Sequence, residues 1–438
     1  RLYKLGEWSL WGDEVSNIRD SLRVFELNLP RRSISRILSR LVLLNWGVTE
    51  WHARLAPALI GVITILIGYL PLRKALGKRS ALLTMLFIAL SPWHLYWSQN
   101  ARFYTAALLF YTLALLAFYF FLEENRLIYV LIAGIFLALA AQEHLTALIL
   151  LPVAVVYILL LSIGPWTKPA GLNRRNLLLL GIPGGLITLV MAYPFVTNSF
   201  VMTTIFGTPN NSPIWLIGGT VYYIGIPLVI VAGYGVFIGW QAKSRIALLL
   251  TLSAILPLTA IAIISLLQYS ANRYVFVSLT SWLTLAAIAV DHLIRRKHQA
   301  TKWIVTLLLL VLVGSALGEN WLYFTAQNGN RENWRAALEW VSEHKGADDP
   351  IFVADNRVGN FYLGEQSGDL REYALPSLDT IAQPIWYVVD MNLPAARPDI
   401  VDWLERQAIF QQAFDVRFRA RTFSLRIYTY YPPTPLID

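Results

Sequence analysis

Cysteine is absent from the 438 residues. That removes disulfides, thiol nucleophiles and cysteine-ligated metals, and leaves the redox compartment open. Charge is scarce as well: 14% of residues are Asp, Glu, Lys or Arg, against about 25% in an average soluble domain. No run of carboxylates and histidines is dense enough to demand a metal ion, and no internal repeat or low-complexity segment stands out. No signal peptide is visible; the chain opens at Arg1 without an initiator Met, so a preceding segment is expected. What is abundant is apolar: 56% of residues are hydrophobic. This describes a polytopic membrane protein with a soluble part. The net charge of +9 does not point to nucleic acid, because much of it lies in short loops between apolar runs, where topology accounts for it.

The first apolar run long enough to span is 55–72, and nine more follow at about 81–97, 103–122, 127–141, 145–163, 177–197, 214–240, 246–267, 275–294 and 303–322. Alternate connections are basic: Arg73, Lys74, Lys78 and Arg79; Arg126; Lys168, Arg174 and Arg175; Lys243 and Arg245; Arg295, Arg296, Lys297 and Lys302. The other short connections hold only Arg102 and Arg273. The basic side is therefore expected to be cytoplasmic, with both chain ends outside. The first 54 residues run against this rule locally, and a span preceding Arg1 would fix their side. No ionisable residue sits at mid-membrane, which disfavours an ion-coupled pump or carrier.

Three regions follow. Residues 1–54 form a first outer loop with amphipathic interfacial helices, 55–322 a bundle of about ten spans, and 323–438 an outer-face α/β domain. In the first, Val15, Ile18, Leu22 and Phe25 recur at helical spacing after Trp11-Gly12-Asp13-Glu14, so a helix should start at Asp13 or Glu14. Arg31, Arg32, Arg36 and Arg40 alternate with Ile34, Ile37, Leu38, Leu41 and Leu44 in a second helix suited to the membrane interface. In the third, 350–355 and 384–390 read as buried strands, 396–413 as a helix, and 414–419 with 422–430 as a strand pair.

The chemistry-bearing residues gather at one level, the outer membrane–water boundary. Asp13 and Glu14 come from the first loop; His52 and Arg54 precede the first span; Ser98 to Tyr104, Gln142-Glu143-His144 and Gln268 to Tyr274 form outer turns. Arginine and histidine suit a phosphate carried by a lipid, and a carboxylate suits proton removal from a hydroxyl. Each residue also has a plainer reading. Asp13 is placed to cap its helix. Arg102 and Arg273 fit interfacial anchors, and Tyr104, Tyr274, Trp93 and Trp97 fit an aromatic belt. His144 fits an interfacial histidine, and Glu143 a partner for an arginine.

Five motifs in order carry a family resemblance: Gly12-Asp13-Glu14, His52-Ala53-Arg54-Leu55, Ser98-Gln99-Asn100-Ala101-Arg102-Phe103-Tyr104, Arg273-Tyr274 and Asn333-Trp334-Arg335-Ala336-Ala337. The chain resembles the GT-C type glycosyltransferases of the protein-mannosyltransferase and aminoarabinose-transferase superfamily over nearly its whole length. The resemblance implies a mainly α, GT-C-like multi-span bundle plus a small C-terminal soluble α/β domain. It implies transfer of a sugar from a polyprenyl-phosphate donor to a protein, lipid or glycan hydroxyl, with inversion, outside a prokaryotic plasma membrane. Asp13 then matches the family's acidic base, with Glu14 beside it. Arg102, Arg273, Arg54, His144, Tyr104 and Tyr274 are the expected donor-phosphate contacts. The sequence departs from relatives that carry a basic residue before a Pro-Pro pair in the first loop: here the region reads Asn28-Leu29-Pro30-Arg31-Arg32. No cofactor is required by these residues, although Asp13 and Glu14 leave a transient divalent metal open. Membrane lipids and the lipid-linked sugar are the expected partners, and nucleic acid is not. The competing classes are a lipid or polysaccharide transporter, which needs polar residues through the bilayer depth, and a non-catalytic subunit, whose mark would be loss of the acid.

Overall fold

The computed structural model describes residues 1–28, 32–181, 186, 212–267, 269–296, 298–364, 367–374, 383–418 and 421–432. Most of the expected span at 177–197, the Pro30–Arg31 stretch and Gln268 lie outside them. Among the described residues six helices are long and apolar enough to cross a membrane, or eight if each of two bent pairs is one crossing. Leu127–Glu143 is a further apolar helix of 17 residues. At 1.5 Å per residue it reaches about 25 Å, slightly less than the hydrocarbon thickness.

Tyr104–Glu124 is the centre of the bundle. Its 21 residues contain no Gly or Pro, and it stops where Asn125 turns left-handed at φ 52°. Tyr104–Glu124 and Asn272–Arg295 are mostly buried by their neighbours, whereas Gln299–Thr325 and Leu145–Ile163 are mostly exposed. Leu66, Ile163, Ile230, Leu307 and Leu310 point outward. Such an apolar periphery suits hydrocarbon rather than water.

Two spans depart from the expected continuous runs. The 81–97 run is Lys78–Leu90 followed by Pro92–Ser98, bent by 61°. Ser91 and Pro92 break it: Pro92 opens the second piece, and the Ser91 hydroxyl caps it by accepting from His94 N–H. The 214–240 run is Pro213–Ile224 followed by Ile226–Gln241, bent by 93° at Gly225, whose φ is 105°. Only glycine takes that conformation readily.

The first loop holds α1 (Gly12–Leu22) and α2 (Ile34–Trp46), which leads to α3 (Glu50–Ile67), the start of the first span. Helix α2 buries Ser35 and Ser39 and exposes Leu38, Leu41 and Leu44. An apolar face turned outward beside the bundle suits an interfacial helix. Glu143 accepts from Ser35 N–H at 2.9 Å and from the Ser35 hydroxyl, so it caps α2 from another helix, with the Arg36 charge acting on it as well.

The C-terminal part, called the outer part after its expected side, holds a five-stranded sheet with order β2-β1-β3-β5-β4. Strands β1 (Ile351–Val353), β2 (Ser367–Asp369) and β3 (Ile385–Val389) run parallel, and β5 (Arg421–Tyr430) is antiparallel to β3 and to β4 (Ile409–Phe418). Trp334, Val341, Val353, Tyr387, Leu404 and Ile427 fill its core. The expected helix over 396–413 is shorter, Pro398–Gln407, and β4 begins at Ile409. Hairpin pairing with the next strand, β5, with a register shift between Phe410 and Gln412, overrides the helical reading of that stretch.

The N-terminal strap joins the two parts. Gln99 Nε2 donates to the Arg1 and Tyr3 carbonyls at 2.8 and 2.7 Å. Ser9 Oγ donates to the Glu332 carbonyl at 2.7 Å and accepts from Trp334 N–H at 3.1 Å. Leu10 N–H donates to Tyr362 Oη at 2.8 Å.

Candidate active site

Helix α1 starts one residue earlier than expected, and its cap is Trp11, with no side-chain hydrogen bond. Asp13 is thus the second helical residue, and the capping reading fails. Its carboxyl instead lies between two guanidinium groups, Arg102 Nη2 at 3.5 Å from Oδ2 and Arg357 Nη1 at 3.9 Å from Oδ1. Arg102 Nη1 also donates to the Asp13 carbonyl at 3.0 Å. The Asp13 side chain keeps 27% exposure, so a substrate can reach it.

Glu14, its neighbour, has none. Arg54 forks onto it, Nε to Oε1 and Nη2 to Oε2, each at 2.8 Å. Arg331 Nε stands 3.4 Å from Oε2, and Ala101 N–H donates to Oε1 at 2.7 Å. Burial pushes the Glu14 carboxyl up, but Arg54 and Arg331 outweigh it and hold the group below its ordinary value. Glu14 is therefore a permanent anion with its oxygens occupied, which corrects its expected place beside Asp13 in the chemistry. For the same reason Asp13 and Glu14 do not converge on a metal ion. Among the described residues no three His, Asp or Glu do so either.

Arg54 is corrected with it. Its remaining N–H groups donate to the carbonyls of Leu5 at 3.2 Å, Trp8 at 2.8 Å and Ser9 at 2.9 Å. All five donors are used, the side chain is fully buried, and none is left for a donor phosphate.

Arg102, Arg273, His144, Tyr104 and Tyr274 do come together. The His144 ring lies 5.4 Å from Phe103, 5.5 Å from Tyr104 and 5.3 Å from Tyr274, centroid to centroid. Arg102 sits over Phe103 at 4.6 Å, and Arg273 over Tyr274 at 5.5 Å. The Nε atoms of both arginines are buried and take no hydrogen bond among the described residues. Burial first, then Arg102 and Arg273, pushes His144 down to about 4. It is a neutral ring near pH 7, not a third cation, and Thr146 N–H and hydroxyl contact its Nδ1 at 3.3 and 2.7 Å.

Two participants escaped the sequence reading, and a third, Gly12, was read only as part of a motif. Arg331 and Arg357 come from the outer part and meet α1 only through the fold. Gly12 explains its own place: a Cβ there would overlap Asp355 Oδ2 and the Arg357 guanidinium, which pair at 2.7 Å. A cavity of about 410 Å³ opens between the bundle and the C-terminal part, lined by Trp11, Trp93, Trp97, Tyr223, Arg273 and Glu332 among others.

Known proteins can be set against this geometry. A family model for dolichyl-phosphate-mannose-protein mannosyltransferase matches residues 35–197. No curated protein matches the chain. Among solved structures, ArnT from Cupriavidus metallidurans in the apo state superposes with a TM-score of 0.60 at 16% identity, over 97% of this chain and 94% of that one. The chain has the GT-C glycosyltransferase fold. The mannosyltransferase family model matches 163 of the 438 residues, all of them in the first half of the chain. The same ArnT bound to undecaprenyl phosphate gives 0.58 at 16% identity, over 96% and 95% of the two chains. The archaeal oligosaccharyltransferase AglB from Archaeoglobus fulgidus, in complex with an inhibitory peptide and a dolichol-phosphate, gives 0.53 at 11%, over 88% of this GT-C chain and 66% of that one.

Proposed function

We propose that this protein is a glycosyltransferase that moves a sugar from a polyprenyl-phosphate donor to a hydroxyl of a protein, lipid or glycan. It acts at the non-cytoplasmic face of a prokaryotic plasma membrane. Asp13 is the base, and the sugar's anomeric configuration inverts. The observation that carries this reading is the open Asp13 carboxyl beside Arg102, with Arg273 in the same cluster.

In the step proposed, the acceptor oxygen bonds to the anomeric carbon while the bond from that carbon to the phosphate oxygen breaks. The acceptor proton goes to Asp13 and then to water. The polyprenyl phosphate leaves with both bond electrons. Its growing charge faces Arg102 and Arg273, whose cationic groups are pre-placed and partly withdrawn from water, where such stabilisation is strongest. Neutral His144 offers a hydrogen bond and a flat wall, not charge. The outer-face placement rests on the basic loops opposite, and the lipid phosphate in the ArnT structure supports the donor class.

The test is transfer from a synthetic undecaprenyl-phosphate sugar by purified protein. Arg102→Ala and Arg273→Ala should each lower kcat/KM for the donor by a factor on the order of ten to a thousand, as one lost charge-stabilising contact does. Unchanged donor kinetics in both variants would return the arginines to the role of membrane anchors.

A further inference from the structure

The cavity lined by Trp11 and Arg273 has a composition that the phosphate cluster does not explain. Its volume, about 410 Å³, falls in the roughly 300–1,000 Å³ range of small-molecule sites. The bundle supplies flat aromatic walls, Trp93, Trp97 and Tyr223, and the outer part supplies planar polar groups, Glu332 and Asn392. Aromatic faces with a few fixed polar groups suit a sugar ring, which presents C–H faces and a rim of hydroxyls. Arg273 lines this cavity and also belongs to the phosphate cluster. In a sugar phosphate the anomeric carbon is one oxygen from phosphorus. A donor whose phosphate meets Arg273 therefore has its sugar next to, or in, this space.

Glu332 is held in place there by its own backbone and side chain. Its Oε2 accepts from Trp334 Nε1–H at 2.8 Å, and its carbonyl accepts from Ser9 Oγ–H at 2.7 Å. Among the described residues Oε1 takes no hydrogen bond. We propose that the cavity holds the donor's sugar and that Glu332 is a specificity-determining contact, hydrogen-bonding a neutral ring hydroxyl through Oε1. This rests on the lipid-phosphate donor reading above.

The surroundings of Glu332 agree. Burial and then Asp390 push its carboxyl up to about 8, with Asp355 adding to this and Arg371 opposing. The other charged groups lining the cavity are Arg273, Arg331 and Glu319. Below pH 8 the side chain is a neutral acid that donates O–H and adds no negative charge opposing the lipid phosphate. Above pH 8 it becomes an anion in the space the donor would occupy.

The experiment separates phosphate from sugar. Protein in nanodiscs is titrated with undecaprenyl phosphate alone and with undecaprenyl-phosphate-linked mannose, glucose and galactose. The wild type should bind at least one sugar-bearing lipid about three- to tenfold more tightly than the bare phosphate, the scale of one net hydrogen bond. Glu332→Ala should abolish that gain while still binding the bare lipid phosphate, and Glu332→Gln, which keeps a donor in place, should retain it at pH 7. Glu332→Asp, which withdraws the carboxyl by one methylene, should lose most of the gain, a comparison that stands even if the Ala variant misfolds. A gain that survives in Glu332→Ala or in Glu332→Asp, or no gain with any of the three sugars, would overturn the assignment. Failure of the bare lipid phosphate to bind would instead strike the donor reading on which it rests.

Discussion

Asp13 and Glu14 are adjacent carboxylates with opposite predicted phenotypes, and Glu14→Gln makes the contrast measurable. The change keeps the side chain's shape and removes its charge. It leaves the Arg54 and Arg331 guanidinium groups, 0% and 2% exposed, without their counter-ion. Breaking a buried ion pair from one side costs about 3–5 kcal/mol, because the remaining charge stays desolvated. At roughly 2 °C per kcal/mol for a large domain, the apparent melting temperature in detergent should fall by about 6–10 °C. Pairing it with Arg54→Gln should cost less than the sum of the single changes by roughly 1–3 kcal/mol, since the two side chains act as one unit. Because Glu14 is held below its ordinary value of 4.5, its stabilising contribution is complete above that pH and is lost as the pH falls through the lower folded-state value. The Gln variant should therefore lose less stability on acidification than the wild type does. Intrinsic tryptophan fluorescence during heating reads all three effects. Unchanged thermal stability combined with lost turnover would refute the anchor role and place Glu14 in the chemistry.

Gly12→Ala tests whether the outer part positions Asp13. Helix propensity alone favours Ala by about 1 kcal/mol, but the new Cβ would displace the Asp355–Arg357 pair. Transfer should fall by about tenfold with no gain in melting temperature; a stabilised, fully active variant would contradict the contact. For topology, Lys78→Cys and Arg296→Cys in this cysteine-free chain should resist an impermeant thiol reagent in intact cells, while Glu343→Cys should react; labelling at 78 or 296 would reverse the orientation.

Much of the architecture was legible because it follows from the bilayer. Apolar run lengths and alternating basic loops delimit spans without any tertiary information. The breaks were written there too, in Ser91-Pro92 and Gly225-Ile226-Pro227, but hydropathy averages over them. The short helix ending at Gln407 was overextended because β4, the first arm of a hairpin with β5, starts at Ile409, and its form there comes from cross-strand pairing that the local composition does not signal. The site divided in the same way. Arg102, Arg273, His144, Tyr104 and Tyr274 lie in turns between spans that alternation of the spans brings to one depth. Arg54 misled, since its pairing with Glu14 spans forty residues of chain, and a motif arginine beside a span looks the same whether it holds a ligand or a carboxylate. Arg357 had no local signal, because its role depends on how the outer sheet seats on α1.

The central claim is that Asp13 takes the acceptor's proton, and the direct measurement is sugar transfer by Asp13→Asn. Asparagine keeps the size and hydrogen-bonding reach of the side chain but cannot accept that proton under the conditions of the reaction. Asp13 makes no capping bond and is partly exposed between Arg102 and Arg357, so the variant should express and melt like the wild type. Its kcat should fall by a factor on the order of a hundred or more, with binding of undecaprenyl phosphate retained. Turnover near the wild-type value with Asn at position 13 would contradict the account.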